Sequence, residues 1–332
     1  MFAMRLARLE ATKVARSAAV AAVAATLATA WSATSTSASA DPALTPQPAT
    51  LAGRTVRAVP CAIEGPRPDM GDRQHGGMAV TATHVYVADG QGLVRRYRPS
   101  RGKTCRLRLD RAWGTRQMPA LTDGRYVLTL DADARGAVYA TVPGRLPQRL
   151  DGKAAVDVCR RKGTLHASPR TAEVWRHEWG TPSRIDPASC DEGQVPMPFR
   201  VTPDTTAHLW VVGDDRIAVT AAVSDELEVW LLDGNGQQVA QLAAPDERTF
   251  DPTRIVACGD ALCGLAFDRL VMWDRGGTVV GTIVAGPLLG LRGVALFELA
   301  GGEPGTFVMG KELHPDADHR GRIFRLDGLP VP

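Results

Sequence analysis

The segment that decides the fold is Val229–Gly236, which reads VWLLDGNG. A second segment, Val271–Gly277, has the same form and reads VMWDRGG. Val, Leu and Trp favour strands, whereas glycine supplies the positive φ of a tight hairpin turn and Asp or Asn tolerates it. Each segment therefore predicts a strand, a hairpin turn and a following outer strand, at 238–242 and 279–284.

This type of segment, a β-rich run that ends on an aromatic side chain, recurs along the chain. The aromatics are Tyr97, Tyr139, Trp175, Trp230, Trp273 and Phe324. They stand 42, 36, 55, 43 and 51 residues apart. A period of about 40–50 residues with four strands per unit is typical of a β-propeller. We predict an all-β chain, a β-propeller of six four-stranded blades; five or seven blades and a β-sandwich remain the alternatives, because the unit at 154–186 is the weakest.

The two ends of the repeat complement each other. The unit around Phe324 is followed by too few residues for an outer strand, and the β-prone run Thr55–Val59 precedes the first complete unit. We predict that this N-terminal run completes the last blade, so that the ring closes and leaves no bare sheet edge.

A leader precedes the repeats. Basic residues are followed by an alanine-rich apolar stretch at 18–31, and Ala38-Ser39-Ala40 fits a small-x-small cleavage site, with Ala28-Thr29-Ala30 as a second candidate. An apolar stretch of about 14 residues is shorter than the ~20 that a membrane span needs. We predict a signal peptide at 1–40, a linker at 41–50 and one propeller domain at 51–332, in a secreted or periplasmic monomer without a membrane span.

Charge argues against nucleic acid as a partner. The 332-residue chain has 39 basic and 36 acidic side chains, and the leader holds four of the basic and one of the acidic ones. The remainder therefore has 35 of each and no basic surplus to neutralise a phosphate backbone. One local excess of arginine lies at 95–108, which we interpret as a charged sheet edge that discourages pairing between sheets.

Six cysteines follow the leader, and an even number in an exported chain indicates disulfides. Cys258 and Cys263 flank a predicted hairpin loop, where facing residues come within disulfide range. For the others, among the 15 pairings that six cysteines allow, we expect Cys61–Cys105 and Cys159–Cys190.

The repeated pattern of β-run, aromatic, Asp-Gly turn and β-run resembles that of the NHL, YVTN and quinoprotein-like propeller superfamilies. It differs from WD repeats, since Trp273-Asp274 is the one Trp-Asp pair that ends a unit and no Gly-His pair opens one. The resemblance implies the fold. These superfamilies include lactonases, lyases, quinone dehydrogenases and binding scaffolds, so it does not select a function.

Few residues indicate chemistry. The loop His314–His319 places His314, Asp316, Asp318 and His319 within six residues; this pattern is typical of a solvated loop, and the alternative is part of a divalent-cation site formed by these four residues. Asp131–Gly136 begins like a calcium loop but lacks its terminal acid, so we interpret it as a turn. His75, next to two glycines before an inner strand, is the histidine expected to face the central channel as a ligand-binding residue.

The nucleophile elbow, phosphate loop and zinc-protease motifs do not occur in the sequence. We therefore predict an exported, non-enzymatic binding or scaffold protein that holds a protein or small-molecule ligand at a channel mouth or loop face. The alternative is a metal- or quinone-dependent propeller enzyme of the lactonase, lyase or dehydrogenase type.

Overall fold

A computed structural model of the chain describes residues 45–70, 76–119, 129–142, 144–178, 181–197, 208–213, 215–223, 226–245, 252–266, 268–314, 317 and 320–330. Within these ranges lie 26 strands and one short helix, α1 (Ala285–Leu289). The protein is therefore all-β, as predicted. No helix in this part of the chain has the length and apolar character that crossing a bilayer requires.

Four sheets each consist of four strands that follow one another in the chain and pair antiparallel. Their strands are β8 (Thr129–Ala132), β9 (Val138–Thr141), β10 (Gln148–Arg149) and β11 (Val156–Asp157); β12 (Thr164–Ala167), β13 (Val174–Glu178), β14 (Thr181–Ile185) and β15 (Glu192–Gln194); β16 (Leu209–Gly213), β17 (Arg216–Val223), β18 (Glu226–Asp233) and β19 (Gln238–Gln241); β20 (Arg254–Cys258), β21 (Ala261–Ala266), β22 (Arg269–Trp273) and β23 (Val279–Val284). The outer strands expected after Trp230 and Trp273 are β19 and β23.

The remaining strands form one ten-stranded sheet that draws on both ends of the described chain. They are β1 (Ala49–Leu51), β2 (Arg54–Ile63), β3 (Met78–Val80), β4 (Val85–Ala88), β5 (Leu93–Pro99), β6 (Cys105–Leu109), β7 (Thr115–Gln117), β24 (Val294–Gly302), β25 (Gly305–Glu312) and β26 (Arg322–Asp327). The order is β24-β25-β26-β2-β6-β5-β4-β3, with β1 paired to β2 and β7 paired to β5.

The prediction of six separate four-stranded sheets is corrected here, because the described residues form four such sheets and the ten-stranded one. The reason is the length of β2. Its residues Arg57–Pro60 pair antiparallel with β26, and its residues Cys61–Ile63 pair in parallel with β6. One strand thus completes the last unit, as Thr55–Val59 predicted, and also joins that unit to the first.

The first strands of successive units contact one another in a closed circle that runs β3, β8, β12, β16, β20, β24 and back to β3. Apolar clusters fill the space between neighbouring sheets. In one of them Trp210 and Val229 pack with Ile255 and Trp273, whose indole is fully buried. This face-to-face packing around a common centre makes the arrangement propeller-like.

The aromatic residues that revealed the repeat do not occupy equivalent strands. Tyr139 and Trp175 lie on β9 and β13, the second strands of their sheets. Trp230 and Trp273 lie on β18 and β22, the third strands. The 55-residue interval between Trp175 and Trp230 is long because it includes this shift by one strand.

Four hairpins share one five-residue turn that begins at Asp89, Asp133, Asp233 and Asp274. In each, the carboxylate accepts hydrogen bonds from the second and fourth following amides at 2.9–3.0 Å. The residue three positions on is a glycine with φ between 73° and 85°. The Asp side chain satisfies amides that the hairpin leaves unpaired, and glycine adopts the left-handed conformation without a steric cost.

The three disulfides are Cys61–Cys105, Cys159–Cys190 and Cys258–Cys263, which are the pairs that the sequence suggested. Cys61 and Cys105 face each other where β2 meets β6. This cross-link therefore fastens the strand that joins the two ends of the repeat.

We expect Cys61→Ala/Cys105→Ala to lower the free energy of unfolding by about 3–4 kcal/mol, the loop entropy of a 44-residue link. Amide hydrogen exchange should accelerate in β2, β6 and β26 beyond any change common to all strands, because the junction has lost its cross-link. Cys159→Ala/Cys190→Ala, which removes a 31-residue link, is the control and should leave β2 protected. Equal exchange in β2 for both variants would contradict this role.

Candidate functional site

The centre of the molecule is a channel lined by the first strands. Residues of β3, β8, β12, β16, β20 and β24 surround one internal cavity. Its volume is about 20 Å³, which is enough for a single water molecule. Side chains therefore nearly fill the channel at this level, and an organic ligand cannot lie there.

A buried charged cluster, which we call the channel network, consists of Asp131, His166, Arg254 and Glu298. Each residue is at most 8% exposed. The guanidinium of Arg254 donates to Oδ1 of Asp131, and its Nε lies 3.6 Å from Oε2 of Glu298. Nδ1 of His166 lies 3.5 Å from Oδ2 of Asp131. The network ties β8, β12, β20 and β24 together across the channel.

Each of the four residues of the channel network has one buried polar atom that forms no hydrogen bond within the described residues. Oδ2 of Asp131, Nδ1 of His166, Nε of Arg254 and Oε2 of Glu298 are all buried without a hydrogen-bond partner among the described residues. Burial and the negative charge of Asp131 raise the pKa of Glu298 to about 8, although Arg254 acts in the opposite direction. A carboxyl group with this pKa is mostly protonated at neutral pH, so one proton resides in the network.

A wide polar pocket opens where several inner strands end, and we call it the mouth pocket. Its volume is about 830 Å³, within the range of small-molecule sites. Its lining includes acidic, basic and hydroxyl side chains. Its lining comprises Thr81, Ala82, Thr83, His84, Tyr86, Arg96, Asp133, Ala134, Arg135, Gly136, Asp151, Pro169, Gly302 and Glu303.

His84 and Arg96 converge on one buried carboxylate beneath the mouth pocket. Arg96 donates to Oδ2 of Asp110 through Nη2 at 2.7 Å and through Nε at 3.1 Å. Nε2 of His84 lies 3.5 Å from the same oxygen. Burial and the charge of Arg96 lower the pKa of His84, so its imidazole is neutral at pH 7 and can accept as well as donate.

The carboxyl of Asp110 is held ionised by these neighbours. Burial by itself would raise its pKa, but the hydrogen bond and charge of Arg96 and the charge of Arg98 outweigh burial and lower the pKa. Trp113 packs beside this cluster, with the guanidinium of Arg96 5.4 Å and that of Arg116 4.3 Å from its ring centroid. Arg96, which lines the mouth pocket, is thus held in place by its hydrogen bonds to Asp110 and by its contact with the ring of Trp113.

Asp133 lines the mouth pocket and is also the first residue of one of the four repeated turns. Its Oδ1 accepts the turn amides, and its Oδ2 accepts a hydrogen bond from the Tyr139 hydroxyl at 3.2 Å. Burial and the nearby charge of Asp133 raise the pKa of Tyr139. The turn interpretation of Asp131–Gly136 is therefore right for Asp133, while Asp131 belongs to the channel network.

The predicted site residues are only partly within the described chain. His75, Asp316, Asp318 and His319 lie outside the described residues, so the metal loop and the channel role of His75 stay predictions. His314 is described, and no group of three or more His, Cys, Asp or Glu in the described ranges could hold a metal ion. Instead, His166 reaches the channel and His84 reaches the mouth pocket, which no local motif in the sequence signals.

These features define a propeller-like β protein with a closed centre and an open mouth. No protein-family model matches the chain, and no curated protein matches it. Among solved structures it is similar to a luciferin-regenerating enzyme, with a TM-score of 0.52 and 11% sequence identity. The likeness covers 84% of this chain and 98% of the other. At this identity it shows a shared propeller-type fold alone.

The raised pKa of Glu298 predicts a pH dependence of stability. In the unfolded chain Glu298 loses its proton near pH 4.5, but in the folded protein it keeps it to about pH 8. Between these values the unfolded state binds fewer protons, so stability falls as pH rises, by up to about 1.4 kcal/mol per pH unit.

Glu298→Gln should reduce this decline, which urea unfolding between pH 5 and 8 would measure. Glu312→Gln is the control, because Glu312 pairs with Arg292 at 3.1 Å, outside the channel network, and the variant should keep the wild-type slope. A Glu298→Gln variant with the unchanged slope would show that Glu298 is ionised in the folded protein.

Proposed function

We propose that this protein is a non-enzymatic binding protein that holds a small polar ligand in the mouth pocket. The observation that carries the proposal is the contrast between the filled channel and the open pocket at its end. The channel cavity has room for about one water, whereas the mouth pocket measures about 830 Å³.

The chemistry of the lining favours a ligand rich in hydroxyl groups or one that carries both charges. Arg96 and Arg135 supply donors, and Asp151 and Glu303 supply acceptors around the same space. The pairing of Arg96 with Asp110 fixes its direction before a ligand arrives, which lowers the entropy lost on binding.

For the architecture we propose a ring of six blades related to the NHL, YVTN and quinoprotein-like propellers. The ten-stranded sheet then counts as two blades, β3-β4-β5-β6 and β24-β25-β26-β2, joined where β2 pairs with β6. The closed circle of contacts among six first strands supports this count.

For the location we propose a secreted or periplasmic monomer that loses a signal peptide at 1–40. Three disulfides are consistent with an extracellular or periplasmic protein, because such bonds persist in oxidising compartments. The apolar stretch and cleavage pattern of the leader support the same assignment.

A second candidate, a propeller enzyme of the lactonase, lyase or dehydrogenase type, is favoured by the channel network. A buried Glu298 with a pKa of about 8 beside Arg254 and Asp131 is the kind of group that acid–base catalysis uses, and a substrate would reach it only if the channel widened beyond its cavity of about 20 Å³. Lactone hydrolysis that disappears in Glu298→Gln would establish this alternative and refute the non-enzymatic proposal.

To test the mouth pocket, we would place a large side chain in it. Arg135→Trp puts an indole at the third position of the Asp133 turn, and we expect it to abolish binding of any ligand found in a panel of sugars and amino acids. Asn235→Trp is the matched control, because Asn235 is exposed at the third position of the Asp233 turn, which does not line this pocket. Isothermal titration calorimetry would measure affinity.

Retention of wild-type affinity by Arg135→Trp would refute the mouth pocket as the binding site. A loss of affinity in both variants would show a general effect of tryptophan in these turns and would count against the proposal as well.

A further inference from the structure

A basic face lies on the outer part of the first unit. The fully described stretch 93–111 contains eight basic residues and one acid, Asp110, whereas residues 41–332 as a whole carry equal numbers of basic and acidic side chains. We define the arginine face as the five exposed basic residues of β5, β6 and the turn between these two strands. They are Arg98, Arg101, Lys103, Arg106 and Arg108.

The interpretation of these arginines as a charged sheet edge that discourages pairing between sheets is wrong. Arg106 and Arg108 lie on β6, which pairs with β5 on one side and with β2 on the other. A strand with partners on both sides has no edge to protect, so these charges need a different explanation.

The arrangement of the arginines is unfavourable without a partner. Arg98 lies directly opposite Arg108 across the β5–β6 pair. Like charges in this register destabilise a sheet. Asp110 is the one acid in the stretch, and Arg96 already donates to it, with Arg98 3.5 Å away. The other members of the arginine face have no ion pair with a described residue, so the face retains positive charge.

The face is exposed and polar. The side chain of Arg98 is 67% exposed, and Arg101, Lys103, Arg106 and Arg108 are exposed as well. Arg106 and Arg108 alternate with buried or half-buried Cys105, Leu107 and Leu109, so the two guanidiniums project from the same side of β6. Each guanidinium can bind a carboxylate or sulfate through two parallel hydrogen bonds.

We propose that the arginine face binds an acidic polysaccharide through its carboxylate or sulfate groups. Strand geometry places Arg106 and Arg108 about 7 Å apart, with Arg98 about 5 Å from Arg108 across the sheet. This gives a two-dimensional array of cations that fits a chain with one negative charge on each successive sugar. A groove of about 730 Å³ that includes Arg98, Arg101 and Arg325 leads from this face towards His84 and Glu303.

Other polyanions fit this surface less well. An anionic membrane is engaged firmly when apolar side chains insert along with the charges, and no exposed large apolar residue lies in 93–111. Single-stranded nucleic acid uses exposed aromatic platforms, whereas Tyr97 is fully buried and Trp113 packs between Arg96 and Arg116.

The test is binding of polygalacturonate and dextran sulfate to the full chain, measured by biolayer interferometry at low and high salt. Arg106→Thr/Arg108→Thr should weaken binding by roughly 10- to 30-fold, since each surface arginine contributes about one kcal/mol near a polyanion. Arg106→Lys/Arg108→Lys should restore part of the affinity, because charge returns without the planar fork.

Arg54→Thr/Arg57→Thr is the matched control, since both residues are exposed on β2 and the variant loses the same two charges. It should bind within about twofold of the wild type, and urea midpoints would confirm that every variant folds. An equal loss in this control, no binding of either polysaccharide, or tighter binding of duplex DNA, polyglutamate or anionic vesicles would each overturn the proposal. Arg135→Trp should leave polysaccharide binding unchanged, so the two proposals can fail separately.

Discussion

The structure depends on the double pairing of β2. This strand pairs with β26 through Arg57–Pro60 and with β6 through Cys61–Ile63, and the Cys61–Cys105 disulfide cross-links the junction. Without it, β26 and β6 would each present an unpaired row of amides and carbonyls. Closing the circle also fixes the first strands around a common centre, which brings Asp131, Arg254 and Glu298 together from distant parts of the chain.

The closed centre explains where function can lie. Asp131, His166, Arg254 and Glu298 are buried around the channel, and ion pairs of Arg254 with Asp131 and Glu298 connect three of the inner strands. These polar groups connect neighbouring sheets, and the larger cavity, the mouth pocket of about 830 Å³, opens where the inner strands end. There Arg96 and Asp110 form a base whose charges are largely satisfied before a ligand arrives.

The all-β class, the repeat and the Cys258–Cys263 pair could be predicted, since each depends on local composition or on short spacings. The closure by Thr55–Val59 followed from the incomplete unit at the other end of the repeat, and Cys61–Cys105 and Cys159–Cys190 were expectations among the 15 possible pairings. The joining of the first and last units into one sheet could not be predicted, because no local pattern indicates that Cys61–Ile63 pairs in parallel with β6. The intervals between the aromatic residues were uneven for a related reason. Trp175 lies on the second strand of its sheet and Trp230 on the third strand of the next sheet, and sequence spacing does not show which strand an aromatic residue occupies.

The sequence by itself determined the strands, the turns and a net charge of zero for residues 41–332, because these properties reside in composition and in neighbouring residues. Only the tertiary structure decided that burial raises the pKa of Glu298, that His166 approaches Asp131 at the channel and that Arg106 lies inside a sheet rather than at its edge. The physical reason is that burial, electrostatic field and sheet neighbours are set by residues far away in the chain. A carboxylate, an imidazole or a guanidinium therefore takes its role from those neighbours.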